Sequence, residues 1–198
     1  MGVIFAIEKD GVVYLAADAV KECCDVNFYV NQPNNLRLHK MPSGIIVAAS
    51  GPMYITQHLW LNEEWFELKE GETFDKKFIV TQIVSRFYEA IKDIADWKVE
   101  SKLYHKSTEV QFIIAKGADI FIIWDDLSVI KCDRIAAISD KDSDVMMLSY
   151  ANACKEENPE LLIKKTYEFV AQRYVESYTH GFIINTRDFI LKKMEDVQ

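Results

Sequence analysis

Two apolar runs, Val3 to Ile7 and Val12 to Ala17, stand on either side of Lys9-Asp10-Gly11. Asp-Gly between hydrophobic runs is the strongest short-range signal for a β-hairpin. Neither run alternates apolar with polar residues, as a strand with one wet face would. Both faces of the opening hairpin must therefore be covered. Ile45 to Ala49, Val110 to Ala115 and Ile120 to Trp124 repeat the character. A chain with this many doubly apolar strands needs cover on each side of its sheets.

The rest of the pattern says where that cover comes from. Residues 19–34 read as less regular, and Asn31-Gln32-Pro33-Asn34-Asn35 is a loop signal. Leu36 to Met41 and Ile45 to Ala49 read as strands joined by Pro42-Ser43-Gly44. Helices are expected over 53–68 and 74–96, the second N-capped by Thr73 and carrying Phe74, Phe78, Ile83, Phe87, Ile91 and Ile94 on one face. Residues 98–108 are polar and read as a helix end and exposed loop. Strands follow over 110–115, 120–124, 128–132 and 135–138. Helices are expected over 142–156 and 159–178, the latter with Pro159 in its first turn and Gly181 as its stop. A last strand covers 182–185. The order is strands, two helices, strands, two helices, strand, without repeat or linker, so residues 1–198 read as one α+β domain. Two architectures fit: a generic two-layer α+β fold, and a four-layer αββα sandwich of two stacked antiparallel sheets, each covered by a helix pair.

Composition narrows the function classes. The net charge is −8, and a phosphate backbone demands clustered Lys and Arg, so nucleic-acid binding is not expected. No apolar run reaches membrane-spanning length, and the start lacks the basic region of a signal peptide, so the expected setting is the cytoplasm. Cys23, Cys24, Cys132 and Cys154 have no zinc-site spacing and read as free thiols. His39, His58, His105 and His180 are scattered. Trp124-Asp125-Asp126 reads as a solvated turn rather than a cation site. Phosphate-loop, dinucleotide and nucleophile-elbow glycine motifs are absent. No cofactor and no metal are expected.

The opening strand Val3-Ile4-Phe5-Ala6-Ile7, its turn, and Val12 to Asp18 resemble the first hairpin of proteasome β subunits and of the HslV-type peptidase subunit. Leu36-Arg37-Leu38 and Gly44 to Gly51 resemble that family's next two strands, and Gly181-Phe182-Ile183-Ile184 its last. The resemblance covers the layout of nearly the whole chain and is specific over about its first fifty residues. It implies the four-layer N-terminal-nucleophile hydrolase fold. In that family the free α-amine of an N-terminal Thr, Ser or Cys activates its own side chain. A lysine and an aspartate tune proton transfer, and backbone N–H groups hold the oxyanion.

Carried over position by position, the resemblance places Asp18 on the family aspartate and Gly51 on the oxyanion-hole glycine. It places Arg37 on the lysine and Gly2 on the nucleophile. Glycine has no hydroxyl or thiol, and neither has Met1. Arginine keeps its proton at working pH and does not replace lysine in a relay. The later glycine-rich stretch becomes Ser139-Asp140-Lys141-Asp142. The residues also allow plainer roles: Asp18 capping a turn, Arg37 pairing with Asp18 or Glu22, Gly51 only turning the chain. The leading expectation is a non-catalytic, proteasome-like scaffold or binding protein. It would form a homo-oligomer or join related β-type subunits, and a peptide is a possible ligand. The alternatives are a hydrolase with an unfamiliar nucleophile and an inactive partner of an active peptidase. Trp60, Leu61, Trp65 and Trp97 are candidate contacts between subunits.

Overall fold

A computed structural model describes residues 2–23, 26–29, 37–94, 98–100, 105–139, 142–174 and 180–198. Strands β1 (Ile4–Lys9) and β2 (Val12–Asp18) form the expected hairpin, with Ile4 opposite Ala17 and Lys9 opposite Val12. The irregular stretch after them instead holds a second hairpin, β3 (Val20–Cys23) with β4 (Val26–Tyr29). β5 (Leu38–Lys40) and β6 (Ile46–Ser50) follow. The polar stretch read as a loop contains β7 (Lys98–Glu100) paired with β8 (His105–Ser107). β9 (Gln111–Lys116), β10 (Asp119–Ile123), β11 (Val129–Cys132) and β12 (Ile135–Ile138) come next, then β13 (Gly181–Asn185) and the short β14 (Lys192–Lys193). These last two residues carry too little apolar character to show in the sequence. The backbone pairs them with Phe182 and Ile183 all the same.

Two five-stranded antiparallel sheets result, ordered β12-β1-β2-β13-β14 and β11-β10-β9-β6-β5. Their side chains sort by residue parity, as the strand period requires. Ile4, Ala6, Val13 and Leu15 of the first sheet meet Ile46, Ala48, Ile113 and Ile120 of the second in the layer between the sheets. Phe5, Ile7 and Ala16 point the other way, onto the last two helices. Val47, Phe112, Ile114 and Phe121 point onto the first two. Three apolar layers between four structural ones explain why the strands are apolar throughout. The fold is the αββα sandwich, not the two-layer alternative.

The first three helices are shorter than the periodicity predicts, and the expected end of the fourth lies outside the described residues. α1 (Met53–Leu61) stops at Asn62, whose side-chain amide donates to the His58 carbonyl at 2.7 Å and so competes with the next helical bond. A 3₁₀ turn, Glu63–Phe66, replaces its last part. α2 (76–91) is capped by Asp75, not Thr73: Asp75 Oδ1 accepts from the Phe78 N–H at 2.8 Å, and Thr73 donates to the other carboxylate oxygen at 3.0 Å. Residues Ile79–Val84 of α2 are wound as a π-helix, with the Ser85 hydroxyl donating to the Val80 carbonyl at 2.8 Å. That widening lets Phe78, Ile79, Ile83 and Phe87 all reach the core. α3 (Ser143–Ala153) and α4 (Pro159–Tyr174) form the opposite pair. No helix among the described residues is long and apolar enough to cross a membrane.

Candidate functional site

The β1–β2 register places the start of β1 against the end of β2. The Asp18 N–H donates to the Val3 carbonyl at 3.1 Å, and the Val3 N–H donates to Asp18 Oδ1, also at 3.1 Å. The Asp18 side chain thereby curls back over residues 2 and 3 and is almost wholly buried. The second sheet delivers the rest. Ser50 ends β6 and lies on Gly2, whose N–H donates to Ser50 Oγ at 3.0 Å. The Ser50 hydroxyl in turn lies 3.4 Å from the Gly2 carbonyl. Arg37 stands just before β5, tied to the same region by the Ala49 N–H on its carbonyl at 2.9 Å. Its Nη1 donates to Ser50 Oγ at 3.3 Å and its Nε lies 3.7 Å from Asp18 Oδ1. Gly2, Asp18, Arg37 and Ser50 thus form one cluster across the two sheets.

The space around Gly2 is full. A Cβ built on it would lie 1.7 Å from Arg37 Nη1, 2.2 Å from Arg37 Cζ and 2.6 Å from Asp18 Oδ1. The guanidinium occupies the volume in which any side chain at position 2 would begin. Gly51 borders the cluster with φ +140°. A Cβ there would lie 2.6 Å from the Glu109 carbonyl oxygen and 2.9 Å from Val110 Cα, both backbone and neither able to yield. Pro52 follows it and opens α1.

The wall behind the cluster comes from α4. Tyr167 is fully buried, and its hydroxyl lies 3.0 Å from the Val3 carbonyl and 3.1 Å from that of Ala16. Burial pushes the phenol well above its ordinary pKa, the Asp18 charge adds to the rise, and Arg37 opposes it. The phenol is a fixed neutral donor that ties the ends of β1 and β2 to the helix.

The sequence singles out Gly2, Asp18, Arg37 and Gly51; the structure brings the first three together, while Gly51 follows Ser50 in the chain and packs against Glu109 and Val110. It pairs Arg37 with Asp18, one of the two partners considered; side chains around Glu22 lie outside the described residues. Ser50 and Tyr167 are missed by sequence reasoning. Ser50 carries a faint signal, since a hydroxyl ending a buried apolar strand must find partners. Tyr167 carries none, being one aromatic among several on an amphipathic helix. Ser139 sits apart in role: its hydroxyl accepts from the Asp144 N–H, in the first turn of α3, at 2.6 Å. Asp140 and Lys141 lie outside the described residues.

Other candidates resolve into packing and turns. His39 stacks on Trp60 at 4.0 Å, and His180 faces Glu195 at 3.6 Å. Asp126 accepts from the Ser128 N–H at 2.8 Å, closing the turn read there. Cys132 and Cys154 are free thiols, the former raised in pKa chiefly by burial. Cys24 and Trp97 lie outside the described residues. No group of three or more His, Cys, Asp or Glu side chains among the described residues is arranged to hold a metal ion.

No protein-family model matches the chain, and no curated protein matches it by sequence. Solved structures do. BPH from Thiobacillus denitrificans superposes with a TM-score of 0.68 at 17% identity, covering 92% of this chain and 96% of its own. The same protein in complex with epoxomicin gives 0.67 at 17% identity, covering 92% and 97%. Eukaryotic HslV from Trypanosoma brucei gives 0.63 at 16% identity, covering 92% and 98%. The chain therefore has the proteasome-like, N-terminal-nucleophile hydrolase fold of HslV, in a sequence far diverged from those of its structural neighbours.

Proposed function

We propose that this chain is a non-catalytic, proteasome-like protein that uses the fold as a self-assembling scaffold or binding protein. Gly2, Asp18, Arg37 and Gly51 hold the positions of the family's nucleophile, aspartate, lysine and oxyanion-hole glycine, within one domain spanning residues 1–198. One observation carries the reading: the Arg37 guanidinium lies where the nucleophile's side chain would project, 1.7 Å from a Cβ at Gly2. The exchange of lysine for arginine and the loss of the nucleophile are then a single change. A relay cation becomes a permanently charged filler, and the space for a reacting group closes. Ser50 and Asp18 are both engaged with this filler and with the backbone, which favours a structural ion pair over a proton relay.

The resemblance to proteasome β subunits implies assembly into a homo-oligomer or with related subunits. Exposed apolar side chains on the outer helices support this. Leu61 is 73% and Met53 57% exposed on α1, with Val80 and Tyr88 exposed on α2. Of the aromatic candidates, Trp65 is buried in the core and Trp60 is half-buried against His39, so Leu61 is the residue that keeps that role. The fold, the acidic charge and the free thiols fit a cytoplasmic setting, and a peptide fits as a ligand of the scaffold. Hydrolysis of fluorogenic peptides by the purified chain tests the reading. The expected result is release no faster than in buffer; release that scales with protein and is lost in Ser50→Ala overturns it.

A further inference from the structure

A groove of about 780 Å³ opens at the end of the sandwich away from Gly2. Ser50 lies opposite Gln111 and Ile46 opposite Ala115, so the groove at Lys116 is five residues along β9 from the Gly2 cluster. At the rise of a strand that is roughly 17 Å. The proposed function makes no use of it.

Three turns build the groove, and each is pinned. The Pro42-Ser43-Gly44 turn is closed by the Gly44 N–H on the Met41 carbonyl at 3.0 Å, and the Lys116 ammonium donates to the Ser43 carbonyl. The Thr186 hydroxyl donates to the Gly117 carbonyl at 2.7 Å, joining the second and third turns. Asn185 Oδ1 accepts from the N–H groups of Arg187 at 2.9 Å and Asp188 at 3.0 Å, which sets the approach to Phe189. Phe74 is held edge-on to Phe121, with centroids 5.5 Å apart. The groove is preformed, and its volume falls within the range of small-molecule sites.

Its chemistry is selective. Phe74 and Phe189 give it two flat apolar walls. Lys40 and Lys116 both line it, and neither makes an ion pair among the described residues. Asp119 also lines the groove, and its carboxylate is paired with Lys131 at 2.6 Å. Lys40 instead rests 4.5 Å over the Phe189 ring, and Lys116 spends one of its three N–H donors on Ser43. Ser43 Oγ, buried in the wall, has no hydrogen-bond partner among the described residues.

We infer that this groove binds a small organic anion with a flat apolar body, an aromatic carboxylate or sulfonate. Its ring lies between Phe74 and Phe189, and its anionic group meets Lys40 and Lys116. Fluorescence titration of the full chain with 1-anilinonaphthalene-8-sulfonate tests this. The expected result is one saturable site per chain, displaced by naphthalene-2-carboxylate. Lys40→Met keeps the aliphatic stem and removes the charge, and binding should weaken about tenfold, the loss of one ion-pair contact. Lys40→Met with Lys116→Met should abolish it, and Val145→Ser on the exposed face of α3 should leave it unchanged. Absence of a saturable site overturns the inference. So does wild-type affinity in Lys40→Met, which decides the matter alone if the double variant folds poorly. Loss of binding in Val145→Ser would assign the dye to that helix face and overturns it equally.

Discussion

A methyl group at Gly2 meets Arg37 Nη1 at 1.7 Å, so the two residues depend on each other. Gly2→Ala should destabilise the protein by about 1–3 kcal/mol, because the guanidinium must leave its place to admit even one carbon. Arg37→Ala should cost about 3–5 kcal/mol, since it removes the cation paired with the buried Asp18 carboxylate. The double variant should cost less than the sum, because without the guanidinium the added methyl meets only Asp18 Oδ1, at 2.6 Å. Urea unfolding of the four species measures that coupling, and strict additivity would deny that Arg37 fills the space at Gly2. Tyr167→Phe should cost about 1 kcal/mol through its lost hydrogen bonds to the ends of β1 and β2. The sign of its pH dependence follows from its raised pKa. The folded state holds the phenolic proton to higher pH than the unfolded chain does. Stability from this group is therefore complete below the unfolded value of about 10 and falls as pH rises beyond it. Thermal unfolding in that alkaline range should fall less steeply in Tyr167→Phe than in the wild type. Residue identities at this cluster were legible because each sits at a strand end with a recognisable neighbour sequence. The clash was not legible, because which way an arginine turns depends on Ser50 and Asp18, distant in sequence and adjacent only once the sheets stack.

Among the elements, strands were the more readable. Asp10-Gly11 places the first turn where the sequence predicts it, and the continuous apolar runs mark β6, β9 and β10 as covered on both faces. The two small hairpins, β3–β4 and β7–β8, escaped because short polar strands carry neither periodicity nor an apolar face. Helix ends failed for a different reason: they are decided by single hydrogen bonds. Thr73 and Asp75 are both good cap residues, and only the Phe78 N–H bond decides between them. Asp75→Ala should lower the denaturant midpoint measurably and Thr73→Ala clearly less, a contrast that parallel urea titrations resolve. The hydrogen bonds that Asp75 accepts from Phe78 and Thr73 also hold its carboxyl below the usual range. The contribution of this cap is therefore present above the unfolded carboxyl value and is lost as pH falls through the folded one.

At the scale of the whole molecule, three apolar layers stacked between two sheets and two helix pairs account for the composition of every long strand. A sequence can announce that its sheets are covered, but which sheet lies on which requires contacts between residues far apart, such as Gly2 with Ser50. Exposed Leu61 and Met53 give the molecule an apolar helix face, and sedimentation velocity should show an oligomer that Leu61→Ser with Met53→Ser dissociates or weakens. A monomer in the wild type would remove the assembly half of the proposed function and leave the site argument untouched. What closes the site is the filled space at Gly2. Its most direct test is the intact mass of the protein after incubation with epoxomicin, the compound held by the structurally similar BPH. The account predicts an unmodified mass after incubation with a large excess of the compound. A stoichiometric adduct, mapped to Gly2 or Ser50, would show a working nucleophile in the place we assign to Arg37.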